Sequence, residues 1–270
     1  MSDTPSAPDL PRPFSDAWRP ARRPAARVLW RWHSALTNPT VPSGSPVDAF
    51  FDEERARADA GEPLRVIPEE VWADAYEVCD VHGLPREWLG AQVEAARVLV
   101  GETRFEDAQA LDTFVRLWAA PHGRLLAGLA GLTNSVQRSW VDELARGFFL
   151  LARLVSLPAD LANGRLFLPL DELRQYDVST DQLRTGPATE SVQRLLWKHS
   201  VRVRDALQRG RSLADDLWFW QRYPLLRYWY GATALLDELD RRDYDLWSAP
   251  VELSRFRRFE VYLYVVFGRR

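Results

Sequence analysis

The chain has 270 residues, enough for one large domain with a full core, and its 46% hydrophobic and 27% charged content suits a globular protein. A net charge of −3 argues against a general polyanion binder, so no nucleic-acid partner is expected. Cys79 is the single cysteine, which excludes an intrachain disulfide and a cysteine-built zinc site and leaves a small buried hydrophobe as the expected role.

No run of eighteen apolar residues occurs, so no membrane-spanning helix is expected. The N-terminus lacks the apolar stretch of a secretory leader, and a cytoplasmic location follows as the expectation. Residues 1–25 are dense in Pro, Ser, Asp and Arg and read as a flexible tail; residues 26–270 read as one all-α domain. Ala26 to Ser34 can form a short helix, after which Pro39, Pro42, Gly44 and Pro46 impose a loop.

Ser45 reads as an N-cap with Pro46 at the first helical position, opening a helix over 47–60 with Phe50 and Phe51 inward. Pro68 opens the next, through Val71, Trp72, Ala75, Tyr76 and Cys79, and Gly83 closes it. Pro85 starts a helix through Trp88 and Val93, and 105–119 is amphipathic through Leu111, Phe114, Val115 and Trp118. Pro121 and Gly123 are expected to break that helix. The segment from Trp140 to Ser156 is apolar almost all round and therefore reads as the central helix. A short helix over 170–176, a long one over 190–211, and two more over 223–242 and 251–267 complete an all-α pattern with no internal repeat.

One stretch departs from plain core packing: GFFLLARLVSLPADLANGRLFLP, from Gly147 to Pro169, carries Asp160 and then Gly164–Arg165 directly after an apolar helix. It resembles the second signature of the squalene/phytoene synthase family, an Asp-x-x-x-Asp motif followed by Gly-Arg-x-Tyr-Leu-Pro. Upstream, HGLPREW and ETRFED resemble that family's Gly-Leu-Pro and Thr-Arg-Tyr landmarks. The segment from Ala119 to Arg124 is similar to the Ala-Asn-Pro-Val-Gly-Arg of the hydroxysqualene synthase branch of bacterial hopanoid synthesis. The resemblance covers 47–267. It implies a helical bundle around a greasy central cavity (the isoprenoid synthase fold), in which two Asp-rich motifs hold magnesium against a prenyl diphosphate.

The resemblance also marks what is missing. Asp160 stands where the second aspartate belongs, whereas the first falls on Ser156 and the acidic position between them on Ala159. The first motif falls near WRWHSALTN, residues 30–38, which holds no carboxylate. The aspartate before Thr-Arg-Tyr falls on Leu99. An alternative first motif is Asp48 and Asp52 with Glu53, although their place just after a helix start suits a solvated face.

Asp160 is thus the candidate metal ligand and catalytic carboxylate, and magnesium is implied only if the chain is active. His122 is a candidate general acid or anion contact, with an ordinary structural histidine as the alternative. Arg165, Arg124, Gly164 and Phe167 are carried by the landmarks as candidate substrate-binding residues. Arg153 is expected to pair with Asp160 or Glu143, or to meet a bound anion. The aromatic cluster LWFWQRYPLLRYWYG, 217–231, suits either a membrane interface or the filling of a tunnel.

Three functions compete on this reading. The favoured one is a non-catalytic or weakly active family member that binds a prenyl diphosphate or polyprenyl lipid, or partners an isoprenoid synthase, with peripheral contact at the inner membrane. The others are an active magnesium-dependent head-to-head prenyltransferase and a protein-binding assembly scaffold without a lipid role.

Overall fold

The computed structural model describes residues 20–267. A short 3-10 turn, Pro20–Arg22, leads into α1 (Arg23–Ala35). Then come α2 (Val47–Ala60), α3 (Glu69–His82), α4 (Glu87–Ala96), β1 (Thr103–Phe105), α5 (Ala108–Leu129), α6 (Ser135–Val155) and α7 (Leu157–Ala162). The chain continues through β2 (Arg165–Pro169), α8 (Leu170–Gln175), α9 (Thr180–Thr185), α10 (Glu190–Gly210), α11 (Phe219–Arg241) and α12 (Arg255–Phe267).

Local chemistry sets several of these ends. Asp107, Asn134, Ser179 and Thr189 each accept a backbone N–H of the helix they open, and Ser179 with Gln182 completes a reciprocal capping box. Gly61 and Gly83 close α2 and α3 with φ of +72° and +63°, a left-handed backbone that glycine adopts without a Cβ penalty.

α6 is the central helix, with α5 and α10 packed along it; its Asp142, Glu143 and Arg146 side chains make ion pairs. α4 lies on α5, α2 on α4, and α1 on α3 and α5, while α11 joins the far side through α10 and α12 packs on α11. Close approach to α6 depends on glycine: a Cβ on Gly123 would lie 2.9 Å from that of Ala145, and one on Gly147 would lie 2.8 Å from Leu207.

Several expectations are corrected here. Pro121 does not break α5, which runs unbroken from Ala108 to Leu129. Pro121 is buried and Gly123 sits tight against α6, so tertiary packing holds a helix that local propensity would interrupt. The cap of α2 is Pro46, without a side-chain hydrogen bond, while Ser45 closes a turn to Pro42. Phe105 lies in a strand. β1 and β2 pair in parallel, Thr103 opposite Arg165, segments too short to show any periodicity in the sequence. Of the expected tail, residues 1–19 lie outside the described residues, whereas Pro24 sits near the start of α1, and Ala25 and Ala26 are buried.

Two buried carboxylates fasten the periphery. Glu54 is fully buried and accepts the backbone N–H groups of Arg65 and Val66 at 2.7 and 3.0 Å, which pins the loop from α2 to α3. Glu172 holds α8 to α10, with His199 Nε2 at 2.8 Å, Lys198 Nζ at 3.3 Å and the Arg202 guanidinium donating to both oxygens. Burial alone would raise the Glu172 pKa, but hydrogen bonds from His199 and Arg202 outweigh it and draw it down to about 2.

The tightest seam between α6 and α10 is at Gly210, where a Cβ would meet the Trp140 carbonyl oxygen at 2.8 Å and the Leu144 side chain. Gly210→Ala is expected to lower stability by about 1–3 kcal/mol, the usual cost of overpacking, read from urea denaturation midpoints.

Candidate functional site

Four helices and a strand bring polar and aromatic side chains together in the apolar interior. α1 supplies Trp30 and His33, one turn apart; α5 supplies Trp118 and His122; α6 supplies Phe149 and Arg153. α7 adds Asp160, and β2 adds Arg165 and Phe167.

The His33 and His122 rings stack with centroids 4.1 Å apart, flanked by Trp118 at 4.4 Å from His33 and Trp30 at 5.3 Å from His122. His33 Nδ1 donates to Gln92 Oε1 at 2.8 Å. Burial lowers the His33 pKa to about 4; the Gln92 hydrogen bond opposes this and the Arg153 charge adds to it. His122 is held well below its ordinary value by burial and then by His33, and both its ring nitrogens are buried without a hydrogen-bond partner. Both imidazoles are therefore neutral near pH 7.

Arg153 Nη1 donates to Asp160 Oδ1 at 2.7 Å, and its guanidinium carbon lies 5.5 Å from the centre of the Phe167 ring and 5.9 Å from that of Phe149. Glu143, the other expected partner, pairs with Arg209 instead. Burial raises the Asp160 pKa to about 6, against the pull of Arg153 and then Arg165. Asp160 Oδ2 and Arg153 Nε are buried and unpartnered. Arg165 Nη2 donates to the Thr37 carbonyl and to Asn38 Oδ1, each at 2.6 Å, tying β2 to the end of the segment where the first motif was sought. Gly164, with φ of +72°, makes the turn from α7 into β2 that aims Arg165.

Not every candidate converges. Arg124 is bound to Asp142, with Nε to Oδ1 at 2.7 Å. Asp142 lies eleven residues before Arg153 on α6, about 16 Å along the axis, so Arg124 stands outside this group. Asp48 and Asp52 are 88% and 70% exposed and face Arg97, while Glu53 pairs with Arg65, so the alternative first motif is a surface feature. Phe167 is part of the packed aromatic group with Phe105, Phe114 and Phe149. Trp218, Phe219 and Trp220 are exposed and fill no tunnel.

His33, Trp30, Trp118 and Gln92 had no assigned role in the sequence. One signal pointed to His33: the chain has only four histidines, and one of them stands in the carboxylate-free segment aligned with the first motif.

The void beside Arg153 is narrow. Between Leu150, Arg153, Leu154, Leu157, Phe167 and His199 the free volume is about 10 Å³, room for about one water molecule. A larger cleft of about 330 Å³ lies between α5, α6 and α10, lined by Asp112, Arg146, His199 and Arg202 among others. Magnesium takes about six oxygens in near-octahedral array, and the interior site offers one aspartate already held by an arginine. Among the described residues no group of three or more His, Cys, Asp or Glu side chains is placed to hold a metal ion. The donor set does not fit that ion. With two guanidiniums, two neutral imidazoles and one carboxylate, it suits an anion better.

A family model described as squalene/phytoene synthase matches residues 19–257. The chain is 20% identical over 172 residues to a chloroplastic phytoene synthase of Narcissus pseudonarcissus, and 26% identical over 96 residues to phytoene synthase 2 of Solanum lycopersicum. These alignments cover 62% and 36% of this chain but only 41% and 31% of the curated relatives. Among solved structures, squalene synthase HpnC from Alicyclobacillus acidocaldarius superposes with a TM-score of 0.72 at 22% identity, covering 87% of this chain and 92% of that one. A dehydrosqualene synthase in complex with ligand gives 0.74 at 13% identity, with 95% and 90% coverage. The shared architecture is the all-α isoprenoid synthase fold.

Arg153→Met leaves the Asp160 carboxylate buried without its partner, and is expected to cost about 3–5 kcal/mol in urea denaturation. The double variant Arg153→Met/Asp160→Leu should recover most of that loss. A carboxyl raised from 3.8 to about 6 holds its proton longer folded than unfolded, so its ionisation costs stability as pH rises through that window. The stability of the wild-type chain relative to Asp160→Asn should accordingly fall between about pH 4 and 6 and level off above, as measured by denaturation at each pH.

Proposed function

Since this chain belongs to the squalene/phytoene synthase family, we propose that it serves isoprenoid metabolism (squalene, hopanoid or carotenoid) as a non-catalytic or weakly active member that binds a prenyl diphosphate or polyprenyl lipid. One observation carries the reading: the acidic side chain of the site, Asp160, is held by Arg153. Departure of a diphosphate builds negative charge on its oxygens, and the family meets that charge with magnesium ions gripped by carboxylates. Here Ser156 replaces one of those carboxylates, and the helix aligned with the first motif presents Trp30 and His33.

What remains suits holding more than ionising. Arg153 and Arg165 can meet the oxygens of an anionic head, and the neutral His122 can donate its one N–H to it. The narrow interior favours a second reading, a protein-binding scaffold, because small-molecule pockets run to about 300–1,000 Å³ and the space beside Arg153 is about 10 Å³. On the lipid-binding reading, the rings of Phe149 and Phe167 must part to admit a prenyl tail.

Incubation of the full chain with farnesyl diphosphate and magnesium is expected to release pyrophosphate no faster than buffer alone, and farnesyl diphosphate should bind equally well with EDTA present. Robust turnover that Asp160→Ala abolishes would instead establish an active prenyltransferase. Absence of any prenyl ligand binding would leave the scaffold.

A further inference from the structure

Six large aromatic side chains stand in solvent at one end of the molecule. Trp218, Phe219 and Trp220, where α11 begins, are 81%, 66% and 77% exposed; Phe256, Phe259 and Tyr262 on α12 are 77%, 58% and 50% exposed. The α12 residues recur every three positions along one face. The opposite face, with Arg257, Val261 and Tyr264, lines the seam with α11. Tyr223 joins the two groups, its ring centre 6.3 Å from that of Phe219 and 6.4 Å from that of Tyr262. The surface is thus continuous, and it is not a scatter of single apolar residues of the kind every protein carries.

Its charge is distinctive. Residues 217–230 and Arg255–Phe267 hold five arginines and one glutamate; Arg222, Arg257 and Arg258 pair with Asp215, Glu260 and Glu252. Arg227 and Arg255 are exposed and make no ion pair among the described residues. Trp, Tyr and Phe mixed with Arg is the composition that settles at the boundary between lipid headgroups and acyl chains, where rings sink and guanidiniums stay with the phosphates. No described helix is long and apolar enough to cross a membrane.

We propose that this aromatic–arginine face docks the protein peripherally on an anionic lipid bilayer. A second copy of the chain is a poorer occupant, because self-association through this face would set arginine against arginine. The attraction has two parts: apolar area removed from water, and electrostatic attraction that salt screens. The inference is independent of whether the interior site binds a prenyl ligand.

The test is flotation of the full chain with vesicles of mixed phosphatidylglycerol and phosphatidylcholine, and with phosphatidylcholine alone. The chain is expected to float with the anionic vesicles, to stay largely unbound with the neutral ones, and to be released by high salt. Trp218→Ser/Trp220→Ser/Phe256→Ser should weaken vesicle binding about tenfold or more with an unchanged far-ultraviolet dichroism spectrum, because all three side chains are exposed. Arg227→Glu/Arg255→Glu gives a second route to the same loss and keeps the test open if the first variant misfolds. No flotation with anionic vesicles, or flotation that both variants retain, overturns the proposal. A lipid-free dimer that the aromatic variant dissolves also overturns it, in favour of self-association.

Discussion

The pairing of Arg153 with Asp160 governs the interior of this molecule. An arginine in the last turn of the central helix cannot be carried into an apolar bundle alone, because an unpaired buried charge costs several kcal/mol. Asp160 meets it from the short helix beyond Ser156, while Phe149 and Phe167 offer their rings to its guanidinium. The positions of α7 and β2 follow from this contact. Gly164 turns the chain back after Asp160, Arg165 reaches the end of α1, and Thr103 takes the Gly164 carbonyl to begin the two-stranded pair. The same contact draws one carboxylate oxygen of Asp160, Oδ1, onto Arg153 and leaves Oδ2 buried without a partner.

Elsewhere the chain treats buried polarity in the same way. Glu54 is saturated by backbone N–H groups and Arg65, and Glu172 by a histidine and two cations. The stacked His33 and His122 differ. Burial keeps them neutral, and only His33 has a hydrogen-bond partner. A buried ring with two unused nitrogens is destabilising by itself, which makes this the place in the interior where a polar guest would relieve the most unmet hydrogen bonding.

At the α11–α12 end Arg227 and Arg255, without an ion pair among the described residues, stand among exposed rings. An interior rich in guanidinium and an exterior face rich in arginine and tryptophan both suit partners that carry phosphate and hydrocarbon together.

Much of the fold was legible in the sequence because its signals are local. Pro46 precedes α2, Pro68 and Gly83 bracket α3, and the apolar run 147–152 marks the central helix. The run from Gly164 to Pro169 located the turn and the family. The sequence alone also placed Ser156 four positions before Asp160 and left residues 30–38 without a carboxylate. Tertiary structure decided what no local pattern encodes. It set His33 against His122, 89 positions later, and Arg165 against Thr37, 128 positions earlier. It chose Asp160 over Glu143 as the partner of Arg153, carried α5 straight through Pro121, and left Trp218 and Trp220 in solvent. Each of these depends on which surfaces meet, and the packing of α1, α5 and α10 around α6 is settled by shape and burial across the whole chain rather than by any stretch of it.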